Sequence, residues 1–180
     1  AILKVVESKG IKANATAGLS LGEYGALAAA DVMDLKDLFY IIRKRGIFMQ
    51  EAYPEGGAMT AVLGLESDKI EQICRQTEGI VTIANYNCPG QIVITGEEQA
   101  VMAAAQACSE AGAKRCVPLK VSGPFHSALL KGAGEKLEKE LIGIQLRKPA
   151  IPYISNVDAL DVVEAAPVKT LLKNQVSNSV

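Results

Sequence analysis

The chain of 180 residues has no tryptophan, a single histidine and four cysteines, and its aromatic content is 4%. Each scarcity excludes something. Cys74, Cys88, Cys108 and Cys116 form no C-x-x-C pair, and one histidine is too few to complete a metal site with them, so no metal is expected. Free thiols fit a reducing compartment, and a cytoplasmic location is expected. The formal net charge is −1, from 19 basic and 20 acidic residues, which favours neither nucleic acid nor an anionic membrane. No apolar run approaches the roughly 18 residues of a membrane span, and the opening AILKVVESKG lacks a signal-peptide pattern.

What is present is the composition of a folded domain: 49% hydrophobic and 22% charged residues. A chain of this length can bury one sizeable core, or a core with a small insert. The pattern predicts a helix ending near Lys9 with Gly10 as its cap, a short buried strand in IKANATAG, and a helix over 21–30. Asp34 is read as the N-cap of a longer helix, with Asp37 completing a variant capping box. From Ala58 the texture changes to strand, helix, strand, strand, helix, strand, which is the ferredoxin-like split βαβ order. A helix over 128–141, a short strand in IPYISN and a last helix from about Ala166 complete the reading. The fold class is α/β, and the chain reads as a piece of a longer protein.

Three residues carry the chemistry. Gly18-Leu19-Ser20-Leu21-Gly22 has the G-x-S-x-G form of a nucleophile elbow, in which a serine sits on a sharp strand-to-helix turn and its neighbours approach without Cβ atoms. The alternative is an ordinary glycine turn. If Ser20 is a nucleophile, the helix N-terminus points at it, and the backbone N–H of Leu21 is placed to hold an oxyanion. A serine needs a base, and His126 in SGPFHSALL is the only histidine available; an isolated histidine is also a common core or surface residue. No acidic residue stands out as a third member. Arg45 lies on an expected inward seam of Leu35, Leu38, Ile42, Arg45, Met49 and Ala52, where a guanidinium needs an anion. That anion is either a structural carboxylate or the carboxylate of a substrate; a stem that snorkels to solvent is a third option.

GLSLGEYGALAAA, RKRGIFMQEA, ANYNCPGQIVITG and VSGPFHSALL together resemble the successive motif blocks of malonyl-CoA:acyl-carrier-protein transacylases, in the same order and along the whole chain. The resemblance implies an α/β-hydrolase-like subdomain formed by residues 1–54 and 123–180, with residues 55–122 as a ferredoxin-like insert. It implies transfer of a malonyl group from coenzyme A to acyl carrier protein for fatty-acid synthesis, with malonyl-CoA and the carrier protein as partners, and with no cofactor beyond the thioester substrate. Ser20 would be the acylated nucleophile, His126 the base and acid, and Arg45 the partner of the malonyl carboxylate. Gln175 would orient His126 through its main-chain carbonyl. Asn87 and Gln91 are implied as pocket residues, and Lys114 and Arg115 as contacts for phosphates. Leu21 and Phe125 are the neighbours that accompany malonyl selection, the phenyl ring leaving no room for an α-methyl branch.

Two departures stand out. The residue before the serine is commonly histidine in the family and is Leu19 here. The glutamine-rich loop that completes the family's oxyanion hole, and the segment after Val180, are expected outside these 180 residues. The rival readings are a serine esterase or thioesterase, for which a buried arginine has no use, and a binding module without catalysis.

Overall fold

The computed structural model describes residues 2–121 and 123–180. Helix α1 (Ile2–Ser8) ends at Gly10, whose φ of 77° is the left-handed cap that glycine accepts. Helices α2 (Leu21–Ala29) and α3 (Leu35–Ala52) follow. Next come β1 (Gly57–Leu63), α4 (Ser67–Gln76), β2 (Val81–Cys88), β3 (Gln91–Glu97), α5 (Glu98–Glu110) and β4 (Arg115–Pro118). The chain closes with a 3-10 turn (Ala128–Leu130), α6 (Lys131–Ile142), the short pair β5 (Tyr153–Ile154) and β6 (Asp161–Val162), and α7 (Val168–Ser177). The result is a mixed α/β fold.

Strands β1–β4 form one antiparallel sheet in the order β2-β3-β1-β4, reached because α4 and α5 each carry the chain back over the same face. Alternation sorts the side chains: Val62, Ile83, Ile92 and Ile94 meet Ile70, Cys74, Val101 and Cys108 under the helices. Met59, Ala84 and Val93 form a smaller cluster with Phe125 on the opposite face. The main core lies outside this sheet. There Tyr24, Leu27 and Ile41 pack with Leu137, Leu141, Tyr153 and Leu172 from the later part of the chain.

Three local expectations are corrected. IKANATAG forms no strand; its one ladder contact is a parallel bridge from Thr16 to Tyr153, and a lone bridge gives the segment nothing to extend along. Asp34 is the N-cap of α3, as expected, but its side chain makes no capping bond; its carboxylate accepts instead from Arg147 Nη1 at 2.8 Å, a charge-assisted bond. On α3 the buried stripe is Leu38, Ile41, Arg45 and Met49, while Leu35 is exposed. The helix is rotated slightly from the expected seam, yet Arg45 stays inside it.

Two joints hold the sheet to the rest. The last residue lies along the open edge of β2: Tyr86 N–H donates to Val180 O at 2.8 Å and Val180 N–H to Ala84 O at 2.9 Å. At the other joint, Gly57 opens β1 against the loop before His126. A Cβ on Gly57 would stand 2.3 Å from Pro124 Cδ and 2.7 Å from Pro124 N. Gly57→Ala should therefore displace the Pro124–His126 loop and lower stability by roughly 1–3 kcal/mol, the usual cost of overpacking, read as a fall in Tm.

Candidate active site

Ser20 stands immediately before α2 with φ 51° and ψ −107°, a conformation that L-residues adopt only when their surroundings hold them there. Gly18 makes the turn possible: a Cβ on it would lie 2.1 Å from both C and O of Gly22. The strained peptide is clamped from both sides. Asn156 Oδ1 accepts from Ser20 N–H, Asn156 Nδ2 donates to Gly18 O at 2.7 Å, and Gln175 Nε2 donates to Ser20 O at 2.9 Å.

The serine hydroxyl lies 2.7 Å from His126 Nε2. His126 Nδ1 is 2.8 Å from the main-chain O of Gln175. A carbonyl can only accept, so the ring proton sits on Nδ1, and Nε2 is left as the acceptor for the serine O–H. Burial pushes the His126 pKa down to about 4; the positive charge of Arg45 adds to this, while hydrogen bonding to the Gln175 and Asn178 backbone opposes it. The imidazole is therefore neutral near pH 7 and able to take a proton.

Arg45 Nη2 donates at 2.9 Å both to Ser20 Oγ and to Gln175 Oε1. Its Cζ lies 5.7 Å from the centre of the Tyr24 ring. Arg45 is 7% exposed, and among the described residues it forms no ion pair with a carboxylate. Among the described residues its Nε has no hydrogen-bond partner either. A buried guanidinium without a carboxylate partner carries an uncompensated desolvation cost.

Ser20, Arg45, Phe125 and His126 line one cavity of about 370 Å³. Met49, Met59, Leu119 and Val121 supply apolar wall, and Gln50 and Asn85 add amides. Leu21 opens α2, so its N–H belongs to the first turn, where helical donors have no acceptor within the helix. The remaining expected residues fall elsewhere. Asn87 is exposed and does not line the cavity; its neighbour Asn85 does. The reason is a bulge in β2, where pairing steps from Ile83–Ile94 to Asn85–Val93 and so turns Asn85 onto the face of Val93. Gln91 and Arg115 both pair with Leu63 at the far end of β1. Lys114, whose N–H donates to Leu63 O, is at that end too, and all three are exposed and away from the cavity.

Asn156 and Glu23 are absent from the sequence reading. Glu23 is fully buried and accepts from Gln175 Nε2 at 2.5 Å. A signal for it exists: with Ala26 and Leu27 it lies on the buried stripe of α2, the same anomaly that singled out Arg45. Asn156 carries no comparable signal, because an asparagine in a loop is ordinary.

With one histidine in the chain, a single imidazole resonance reports this site. Its NMR titration should have a midpoint near pH 4 rather than near the ordinary 6.5. Between those values the unfolded chain binds more protons than the folded one. The stability linked to His126 is therefore complete above pH 6.5 and should fall as pH drops toward 4, measured by denaturant unfolding against a His126→Gln variant.

A family model described as "Acyl transferase domain" matches residues 1–180. The chain is 46% identical over 184 aligned residues to the malonyl CoA-acyl carrier protein transacylase of Bacillus subtilis (strain 168), covering 100% of this chain and 58% of that protein. It is 45% identical to the protein of the same name from Escherichia coli (strain K12), covering 100% of this chain and 60% of the other. Among solved structures, a malonyl-transacylase in complex with its type II PKS acyl-carrier protein superposes with a TM-score of 0.96 at 44% identity, covering 99% of this chain and 59% of that one. The corresponding enzyme of Streptococcus pneumoniae gives 0.95 at 42% identity, with 99% and 59% covered. The chain thus spans about three fifths of the length of these relatives. By that match along all 180 residues, the chain belongs to the acyl transferase domain family.

Proposed function

We propose that this chain carries the reacting centre of a malonyl transferase, which moves a malonyl group from coenzyme A to the phosphopantetheine thiol of acyl carrier protein in fatty-acid synthesis. The observation that carries this reading is Arg45, buried without a carboxylate partner among the described residues and 2.9 Å from Ser20 Oγ. The malonyl carboxylate stands one methylene beyond the carbonyl that Ser20 would attack. An acyl group ending in a carboxylate supplies the anion this arginine lacks.

In the first half-reaction His126 Nε2 takes the Ser20 proton as Oγ attacks the thioester carbon. The oxyanion that forms is held by backbone N–H groups, that of Leu21 included. The C–S bond breaks, and the imidazolium returns its proton to the departing coenzyme A thiolate. In the second, the carrier thiol gives its proton to His126, its sulfur attacks the malonyl ester, and Oγ leaves and is reprotonated. The Gln175 carbonyl holds the imidazole by its Nδ1–H throughout, stabilising the imidazolium less than a carboxylate would. No cofactor enters these steps. Phe125, on the cavity wall, disfavours an α-methyl branch, a discrimination worth about 1–3 kcal/mol. Asn85 replaces Asn87 in our reading of the pocket. Gln91 is dropped from the pocket, and Lys114 and Arg115 are kept as outer contacts for coenzyme A or the carrier.

The same reading takes residues 1–54 and 123–180 as a hydrolase-like subdomain and 55–122 as a ferredoxin-like insert; the strand order β2-β3-β1-β4 supports the latter. It also assigns the protein to the cytoplasm. No described helix is long and apolar enough to cross a membrane.

Intact mass after incubation with malonyl-CoA should show one malonyl increment, lost in Ser20→Ala and absent with acetyl-CoA. Arg45→Ala should slow malonylation roughly 10- to 100-fold, the worth of a charge-assisted hydrogen bond, and should admit acetyl. Equal labelling of the parent chain by both thioesters would instead favour an esterase.

A further inference from the structure

Glu23 has no part in the steps above, yet it is completely buried beneath the serine turn. One of its oxygens accepts from Gln175 Nε2 at 2.5 Å and the other from Asn156 N–H at 3.4 Å. Burial raises the Glu23 pKa, while the bonds from Gln175 and Asn156 and the charge of Arg45 oppose that shift; two donors on two oxygens are the pattern of the ionised form. A carboxylate only accepts and a guanidinium only donates, so the Gln175 amide between them has one orientation. Its NH2 faces Glu23 and Ser20 O, and its carbonyl faces Arg45 Nη2 at 2.9 Å.

A direct ion pair between Glu23 and Arg45 would occupy the arginine. With an amide inserted between them, the carboxylate offsets the buried positive charge but leaves the guanidinium open toward the cavity. We propose that Glu23 is a positioning residue: by fixing the Gln175 amide it holds the Arg45 guanidinium against Ser20, and so sets the choice of acyl group without touching it. The inference rests on reading Arg45 as the partner of the acyl carboxylate.

The test uses Glu23→Gln, Gln175→Leu and the double variant of this chain, with two readouts. The first is independent of turnover. Rotation about the Arg45 Nε–Cζ bond, followed by ¹⁵N NMR of the Nη groups, should be slow in the parent chain and faster in Glu23→Gln, because a neutral amide at 23 replaces the charge-assisted bond to the 175 amide with a weaker one. The second is the ratio of malonyl to acetyl transfer onto Ser20. It should fall tenfold or more in Glu23→Gln with little change in Tm, and the same substitution should add less than twofold in the Gln175→Leu background. Slow Nη rotation retained in Glu23→Gln overturns the proposal, as do multiplicative losses in the double variant. Should Glu23→Gln not fold, Glu23→Asp, which keeps the charge and shortens its reach, takes its place in both measurements. If neither this chain nor the full-length protein that contains it takes a malonyl group the proposed function fails, while the NMR arm still decides the role of Glu23.

Discussion

The left-handed backbone at Ser20 is the constraint around which the site is assembled. A φ of 51° on a residue with a Cβ costs on the order of 1–3 kcal/mol and persists only if the surroundings over-determine it. Here they do: Asn156 grips the peptide on both sides, and Gln175 holds its carbonyl. These anchors lie more than 130 residues away in the chain, on the loop after β5 and on α7. The same α7 residue presents its main-chain oxygen to His126, so Ser20 and His126 are both set by Gln175, one through its side chain and one through its carbonyl.

Around that turn the protein keeps two opposite charges out of water without letting them meet. Arg45 and Glu23 are both buried, and the Gln175 amide stands between them. Desolvation of either charge alone would be costly. Arg45 rests one Nη on both the serine oxygen and the side-chain carbonyl of Gln175. The four-stranded sheet contributes the outer wall of the cavity through Met59 and Asn85, and its position depends on the close contact of Gly57 with Pro124 and on the edge pairing of Val180.

Much of this was legible beforehand because periodicity reports local environment. The order of elements from Gly57 to Pro118 follows from alternation and turn residues, with ends shifted by a few positions. Arg45 was legible because a charge in an apolar stripe is anomalous whatever the helix's exact rotation. Glu23 had the same mark on a shorter stripe. Asn85 was not legible, because a bulge breaks the alternation and moves it to the face that alternation would deny it. The N-cap position of Asp34 was legible, but the loss of its capping bond to Arg147 was not, because that partner is distant in sequence.

Sequence alone determined the nucleophile candidate, the single available base and the buried cation, since each follows from a residue type at a local spacing or from its being the only one of its kind. Only the tertiary structure decided which amides serve them. Asn156, Asn85 and the side-chain amide of Gln175, whose main-chain carbonyl the resemblance had already named, take roles that come from where loops and helix ends converge. A hydrogen bond depends on distance and direction in space, and separation along the chain encodes neither.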